Sequence, residues 1–306
     1  MDVSIIIVNY NTLKMTKECI DSVFEKTEGL EFEVILVDNG STDGSKDFFV
    51  NDTRIEYIYI DSNLGFGKAN NVGYKKASGD YLFLLNSDTK LVNNAVFLLW
   101  KTIKEENIKT SNIACGGCML LNSGSQIIHS YAHFPSMLKS ILNISLFSLI
   151  RLFHFFEMST NTSNYDYEKK KNLVTFDVDY ITGADLMILK SVADKHGLFD
   201  PDFFMYYEET EMQHRYMKYG YRRIIVSSPK IVHLEGKSYN KCPVTKVTMI
   251  LKSLFLYFEK TTNMVNYSFF SVFFKFLYIT PRILVIPLLK GNRKESCLHL
   301  REVLKM

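Results

Sequence analysis

Apolar residues follow two rhythms along the first 240 positions of the chain. Short runs rich in β-branched and aliphatic residues, at 4–10, 34–37 and 81–85, are bounded by polar turn formers, as strands buried on both faces of a parallel sheet are. Between them, apolar positions recur every three or four residues. Leu13, Thr16, Ile20, Val23 and Phe24 predict a helix after the first run, and Ala69, Val72, Gly73 and Ala77 predict one over 68–77, with small residues on the face that approaches the sheet. A further helix opens at 43–50, after the turn-rich stretch 38–45. Ala95, Val96, Leu99 and Trp100 mark another over 93–105. This alternation of strand and helix predicts an α/β fold with a parallel sheet covered on both sides. Later strands are expected around Cys115, over 174–180 and after Gly183. A helix is expected from Glu208, and then a strand over 222–226 that stops before Pro229.

Two segments depart from these rhythms. Residues 137–156 gather Ser140, Asn143, Ser148, Arg151 and His154 towards one side of a helix, yet apolar residues occupy most of its circumference. Such a helix is buried or meets a membrane or partner. From Pro243 onward the chain reads as helices, with Lys275, Pro281, Arg282 and Pro287 breaking every apolar run before it reaches the ~20 residues of a membrane span. Interfacial burial is the expectation, and a homodimer surface is its rival.

Composition sharpens that reading. A hydrophobic content of 47% with 23% charged residues is ordinary for a globular chain of 306 residues, but 23 Phe is an excess, and it concentrates around 147–156 and 255–276. Residues 270–306 carry seven Lys or Arg against two Glu, which suits an anionic cytoplasmic leaflet. The whole-chain charge of +3, without a basic recognition element, argues against nucleic acid as a partner. Asp2, followed directly by a β-branched run, is not a signal peptide, and five scattered cysteines fit reduced thiols in the cytoplasm. Cys115 and Cys118 have no second pair to complete a zinc site and read as buried strand residues.

Candidate chemistry collects at predicted strand ends. Asn86, Ser87 and Asp88 follow the 81–85 strand, where ligands of open α/β sheets bind, so Asp88 is a candidate metal ligand against a phosphate, although the same residues also make an ordinary polar turn. The loop Asn63 to Gly67, with Lys68 in the first turn of the helix after it, is a plausible anion site. Asp38 ends the second strand, where it either caps the following helix or accepts hydrogen bonds from a base or ribose. Glu208, Glu209 and Glu211 crowd one helix start. Glu211 has Arg215 as an i, i+4 partner, leaving Glu209 to face a ligand. His233, alone in an apolar run, reads as a packed core histidine.

The stretch "NLGFGKANNVGYKKASGDYLFLLNSDT", followed in order by "ITGADLMILK", "FFMYYEETE" and "IVHLEGKS", resembles glycosyltransferase family 2, above all its rhamnosyltransferase-like branch of bacterial surface-polysaccharide synthesis. The resemblance covers roughly the first 240 residues and implies a GT-A-type fold: a mixed, mainly parallel sheet with helices on both sides, here with C-terminal amphipathic helices added. It implies a catalytic domain at 1–240, with a nucleotide-binding half at 1–90 and an acceptor half at 91–240 that holds an insertion at 135–172, and a membrane-associating tail at 241–306. Asn9, Tyr10 and Asp38 become base and ribose contacts of a UDP- or dTDP-sugar. Asn63, Gly65, Lys68, Asn86 and Ser87 line the rest of the donor site, and Gly183 and Ala184 pack against the sugar. Asp88 binds a divalent cation, Mn²⁺ or Mg²⁺. His233 joins it as the histidine of a His-x-x-Gly-x-Ser segment with Gly236 and Ser238. Glu209 takes the place of the family's catalytic base, usually Asp, and is one methylene longer. Asp185 stands where the family has a small or neutral residue and is a candidate sugar or acceptor contact.

The implied activity is inverting transfer of a hexosyl or rhamnosyl unit to a hydroxyl of a lipid-linked or oligosaccharide acceptor, at the inner face of the cell membrane. A sugar nucleotidyltransferase would need a second acidic metal ligand and a basic triphosphate loop, which "VNYNTLKMTK" does not supply. A catalytically silent scaffold stays open because of the Glu at the base position.

Overall fold

A computed structural model describes residues 1–110, 112–150, 170, 173–234, 243–285 and 293–306. Among these, a nine-stranded mixed sheet runs β3-β2-β1-β4-β10-β6-β11-β5, with β8 (Thr175–Asp177) beside β11, while β7 (Tyr131–Ala132) and β9 (Tyr180–Ile181) pair separately. The first four strands are β1 (Val3–Asn9), β2 (Phe32–Asn39), β3 (Glu56–Ile60) and β4 (Tyr81–Asn86). All pair in parallel, with Asn9 opposite Asp38 and Val8 opposite Asn86. Their carboxyl ends therefore lie side by side. The sheet changes sense at β10 (Asp185–Leu189), which is antiparallel to both β4 and β6 (Ile113–Leu121), and β6 is parallel to β11 (Arg222–His233). Strand β5 (Thr89–Leu91) turns back along β11, so Thr89 faces His233.

Helices α1 (Leu13–Lys26), α2 (Ser45–Phe49), α3 (Phe66–Tyr74) and α4 (Ala95–Thr110) connect these strands. The small face of α3 is required by packing: a Cβ at Gly73 would lie 2.6 Å from the Ile6 side chain of β1. Helix α1 has no cap of its own at Thr12. The Asp43 carboxylate instead accepts from the Leu13 N–H and, with its other oxygen, from the N–H and hydroxyl of Ser45 at the start of α2. One aspartate thus caps two helices, a task the sequence reading offered to Asp38.

The structure changes one reading of the later chain, adds two short elements and bears out the reading of the cysteine pair. Strand β11 runs unbroken through Pro229, because a register shift against β6 between Val226 and Lys230 absorbs the missing N–H. Helix α6 (Lys190–His196) follows β10 without a gap, and β5 is too short for a periodic signal. Cys115 and Cys118 belong to the cores on opposite sides of the sheet, and burial raises both thiols above their usual range, so they are packing residues.

The contacts divide the chain into two compact units. One holds the sheet: Met1–His133, Thr160–Phe204 and Glu208–Asn240. The other joins Phe134–Ser159, Met205–Tyr207 and Lys241–Met306. In it, α5 (Met137–Ile150) packs on α9 (Met264–Val285), which packs on α8 (Pro243–Thr261) and α10 (Arg293–Lys305). Its core is aromatic, with Phe255, Phe258, Phe270 and Phe274 in mutual ring contact. His299 ties three of these helices together through the hydroxyls of Thr248 and Tyr278, and burial lowers its pKa to about 4, so it is neutral at pH 7. The Ser253 hydroxyl of α8 donates to the Met205 carbonyl, which places the 205–207 segment within this helical unit.

Candidate active site

Asn9, Asp38 and Asn86 end three adjacent parallel strands, as the sequence predicts, but the first two point inward. Asn9 has no exposed surface: its Oδ1 accepts from Thr12 and Thr16, and its Nδ2 donates to the Ser41 hydroxyl. Asp38 is equally buried, with its Oδ1 accepting from the Ser41 N–H and its Oδ2 from the Tyr57 hydroxyl at 2.8 Å. Both residues, read from sequence as base or ribose contacts, hold the Ser41 turn, and the half-buried Tyr10 and the turn itself form the accessible wall. Sequence reasoning passed over Ser41, Thr12 and Tyr57. The signal for Ser41 was there in Asp-Asn-Gly-Ser, where a turn hydroxyl follows a strand-end carboxylate.

Asn63 accepts from the Gly65 N–H and from Asn39, whose amide also donates to the Gly65 carbonyl. Gly65 is the tightest point of the loop. Its φ is +87°, and a Cβ there would stand 2.1 Å from the Phe204 carbonyl oxygen, which accepts from the Phe66 N–H. Lys68 is exposed on the first turn of α3. The 63–67 loop is therefore fastened to the segment that ends at Phe204.

That segment leads into α7 (Glu208–Lys218) through Tyr206 and Tyr207, both left-handed at φ 72° and 66°. Consecutive non-glycine residues in this region are held against a local cost of about 1–3 kcal/mol each. The three glutamates after them separate clearly. Glu211 receives both arms of Arg215, whose guanidinium also donates to the carbonyls of His196, Gly197 and Leu198, so Glu211 is a structural ion pair. Glu208 is buried with Oε2 unpartnered, and desolvation, then the charge of Glu209, push its pKa well above the usual carboxylate value. Glu209 is half-buried, and desolvation raises its pKa to about 7. A Cβ added at Gly183 would lie 3.8 Å from the Glu209 side chain, so these two sequence-predicted positions adjoin. Gln213, unremarked in the sequence, fixes this arrangement: its amide bonds both the N–H and the carbonyl of Ile181 and donates to the Glu209 carbonyl.

At the end of β4, the Asn86 N–H donates to the Ala184 carbonyl, and the Ser87 hydroxyl meets that of Thr12 at 3.1 Å. Asp88 Oδ1 lies 3.2 Å from His233 Nε2, with both side chains largely buried, and the Leu234 N–H donates to the Asp88 carbonyl. This carboxylate and imidazole form a donor pair that fits a divalent cation. Among the described residues no cluster of three His, Cys, Asp or Glu exists, so the other coordination positions would fall to substrate oxygens and water. Gly236 and Ser238 lie outside the described residues. Asp185 does not face the cleft as its position after Ala184 suggested. It is fully buried, accepts from the Cys118 N–H at 2.6 Å, and burial raises its pKa to about 7.

The sequence profile of Glycosyl transferase family 2 matches residues 4–197, more than half of the chain. The chain belongs to that family. Glycosyltransferase GlyG of Streptococcus pneumoniae serotype 4 is 30% identical over 109 residues, 34% of this chain and 36% of its own length. The putative teichuronic acid biosynthesis glycosyltransferase TuaG of Bacillus subtilis (strain 168) is 34% identical over 92 residues, 29% of this chain and 36% of its own. The matched stretch thus spans about a third of these relatives. Among solved structures, GalNAc-T7 with UDP, GalNAc and Mn²⁺ superposes over all of this chain and 56% of its own with a TM-score of 0.58 at 14% identity, which shows a shared GT-A-like fold.

Proposed function

We propose that this glycosyltransferase moves a sugar, hexosyl or rhamnosyl, from a UDP- or dTDP-sugar to a hydroxyl of a lipid-linked or oligosaccharide acceptor, with inversion, in cell-surface polysaccharide synthesis at the inner membrane face. The observation that carries the reading is that the Asp88–His233 pair follows β4, whose Asn86 N–H donates to the Ala184 carbonyl, while Glu209 adjoins Gly183 beside that same strand end. The relative named for teichuronic acid synthesis supports the polysaccharide, and the neighbour solved with UDP and Mn²⁺ supports the donor and cation.

Asp88 and His233 would hold Mn²⁺ or Mg²⁺, which when bound neutralises charge on the departing diphosphate. Tyr10 and the Ser41 turn receive the base and ribose, with Asn9 and Asp38 holding that wall in place. Asn63 and Gly65 shape the loop beside it, Lys68 and the Asn86–Ser87 turn take the diphosphate, and Gly183 and Ala184 leave room for the sugar. Glu209 accepts the proton of the attacking hydroxyl. A carboxylate with a pKa of about 7 is a stronger base than an ordinary one and is still half ionised near neutrality.

The test incubates the purified chain with UDP- and dTDP-sugars and Mn²⁺ and follows nucleoside diphosphate release. Slow donor hydrolysis that rises with acceptor supports the reading. Its absence with every donor, together with unchanged nucleotide-sugar affinity in Asp88→Ala, would overturn it in favour of a silent scaffold.

A further inference from the structure

Helix α9 has two apolar sides. Phe270, Phe274 and Tyr278 face the helical unit's core and are buried. At 100° per residue, Val265, Phe269, Val272, Phe273, Phe276 and Ile283 fall together on a separate arc of about 100°, and each is more than half exposed. Helix α5, packed on α9, adds Leu138 and Leu142, also exposed. Soluble surfaces scatter such residues singly, and a contiguous patch of this kind has an occupant.

Charge identifies it. Neither helix contains an Asp or Glu, and their only charged residues are Lys139, Lys275 and Arg282. Lys275 and Arg282 share one flank of the exposed arc on α9, both half-buried, with the Lys275 ammonium over the Phe255 ring and the Arg282 guanidinium stacked on the Tyr278 ring, so their charge is held beside the arc at the edge of the aromatic core. A second copy of this chain would bring cation against cation across a two-fold axis. The arc also lacks the Trp, Tyr and Arg anchors that concentrate energy at protein interfaces. Among the described residues no helix is long and apolar enough to cross a membrane. We infer that the α5–α9 face of the helical unit lies in the surface of an anionic lipid bilayer, with the Val265–Ile283 arc in the acyl boundary and Lys139, Lys275 and Arg282 at the phosphates.

This inference deepens the membrane part of the proposed function and is independent of the transferase chemistry, so the experiment reads binding alone. The full chain is floated with vesicles of pure phosphatidylcholine and with vesicles containing one-third phosphatidylglycerol. Binding is expected to the anionic vesicles, reduced on the neutral ones and by high salt. Phe269→Asp with Phe273→Asp should lower partitioning at least tenfold, while Lys139→Glu with Lys275→Glu should erase the preference for anionic lipid. As a readout that leaves the face nearly intact, Phe273→Cys in a Cys242→Ser, Cys297→Ser background carries an environment-sensitive fluorophore, whose emission should shift to the blue on anionic vesicles. No binding to either composition, binding indifferent to the Phe substitutions, or a fluorophore that stays in water overturns the inference. A dimer in light scattering that the Phe substitutions dissociate would assign the face to a second copy instead.

Discussion

Glu208 and Glu209 are neighbours in sequence, but Glu208 is buried and Glu209 only half-buried. Glu209→Gln should lower turnover by about 10²- to 10⁴-fold with donor affinity nearly unchanged, measured by steady-state kinetics and donor titration. Because the base must be ionised and burial raises its pKa to about 7, kcat/KM should climb with pH through about 7, and the Gln variant should lose that limb. Glu208 bears on stability. Its carboxyl keeps its proton in the folded chain at pH values where the unfolded chain has released it, so the favourable contribution is present below about pH 4.5 and is lost as pH rises toward the folded-state value. Glu208→Gln removes the carboxyl that resists ionisation in the fold and should raise the melting temperature relative to the parent more at pH 8 than at pH 5. An equal difference at both pH values would show that Glu208 is already ionised in the fold. Residue types made Asp88 a candidate at a strand end and Glu209 a candidate at a helix start. The inward turn of Asn9, Asp38 and Asp185 was not visible, because it is decided by partners far along the chain: Ser41, Tyr57 and the Cys118 N–H.

At the scale of elements, the parallel block was legible because each strand is a short apolar run followed by a periodic helix. What escaped was whatever lacks a period of its own. Strand β5 is three residues long, α6 follows its strand without a break, and β11 carries a proline that only a bulge makes tolerable. Gly65 tests how tightly loop and helix are joined. Gly65→Ala puts a methyl group into the Phe204 carbonyl and a side chain at φ +87°, so it should cost at least about 1–3 kcal/mol in urea denaturation and weaken donor binding. Gln213→Leu strands the Ile181 N–H and carbonyl and should destabilise by about 1–3 kcal/mol for each buried group left unpaired. If either substitution is silent in the urea midpoint, that contact does not hold the site.

For the whole molecule, the helical unit is not a simple appendage at the end of the chain, since it also contains Phe134–Ser159 and Met205–Tyr207. Removing 243–306 takes away the α8 hydroxyl that holds the Met205 carbonyl and the Tyr257 ring beside Tyr207, three residues and one residue before Glu208. The truncated protein should therefore lose turnover as well as lipid binding, whereas Phe269→Asp with Phe273→Asp should lose lipid binding alone; donor hydrolysis without vesicles separates the two. Full hydrolysis by the truncated form would show that 205–207 keeps its left-handed path unaided.

The Gly65–Phe204 contact also bears on how this chain can be re-engineered. Residues 63–67 and 199–204 pack together from two distant stretches of sequence, so they form a single exchangeable cassette. A chimera that imports a relative's 63–67 loop alone inherits a backbone shaped for another carbonyl, while one that imports both stretches together brings its own fit. Exchanging this loop is a two-segment operation.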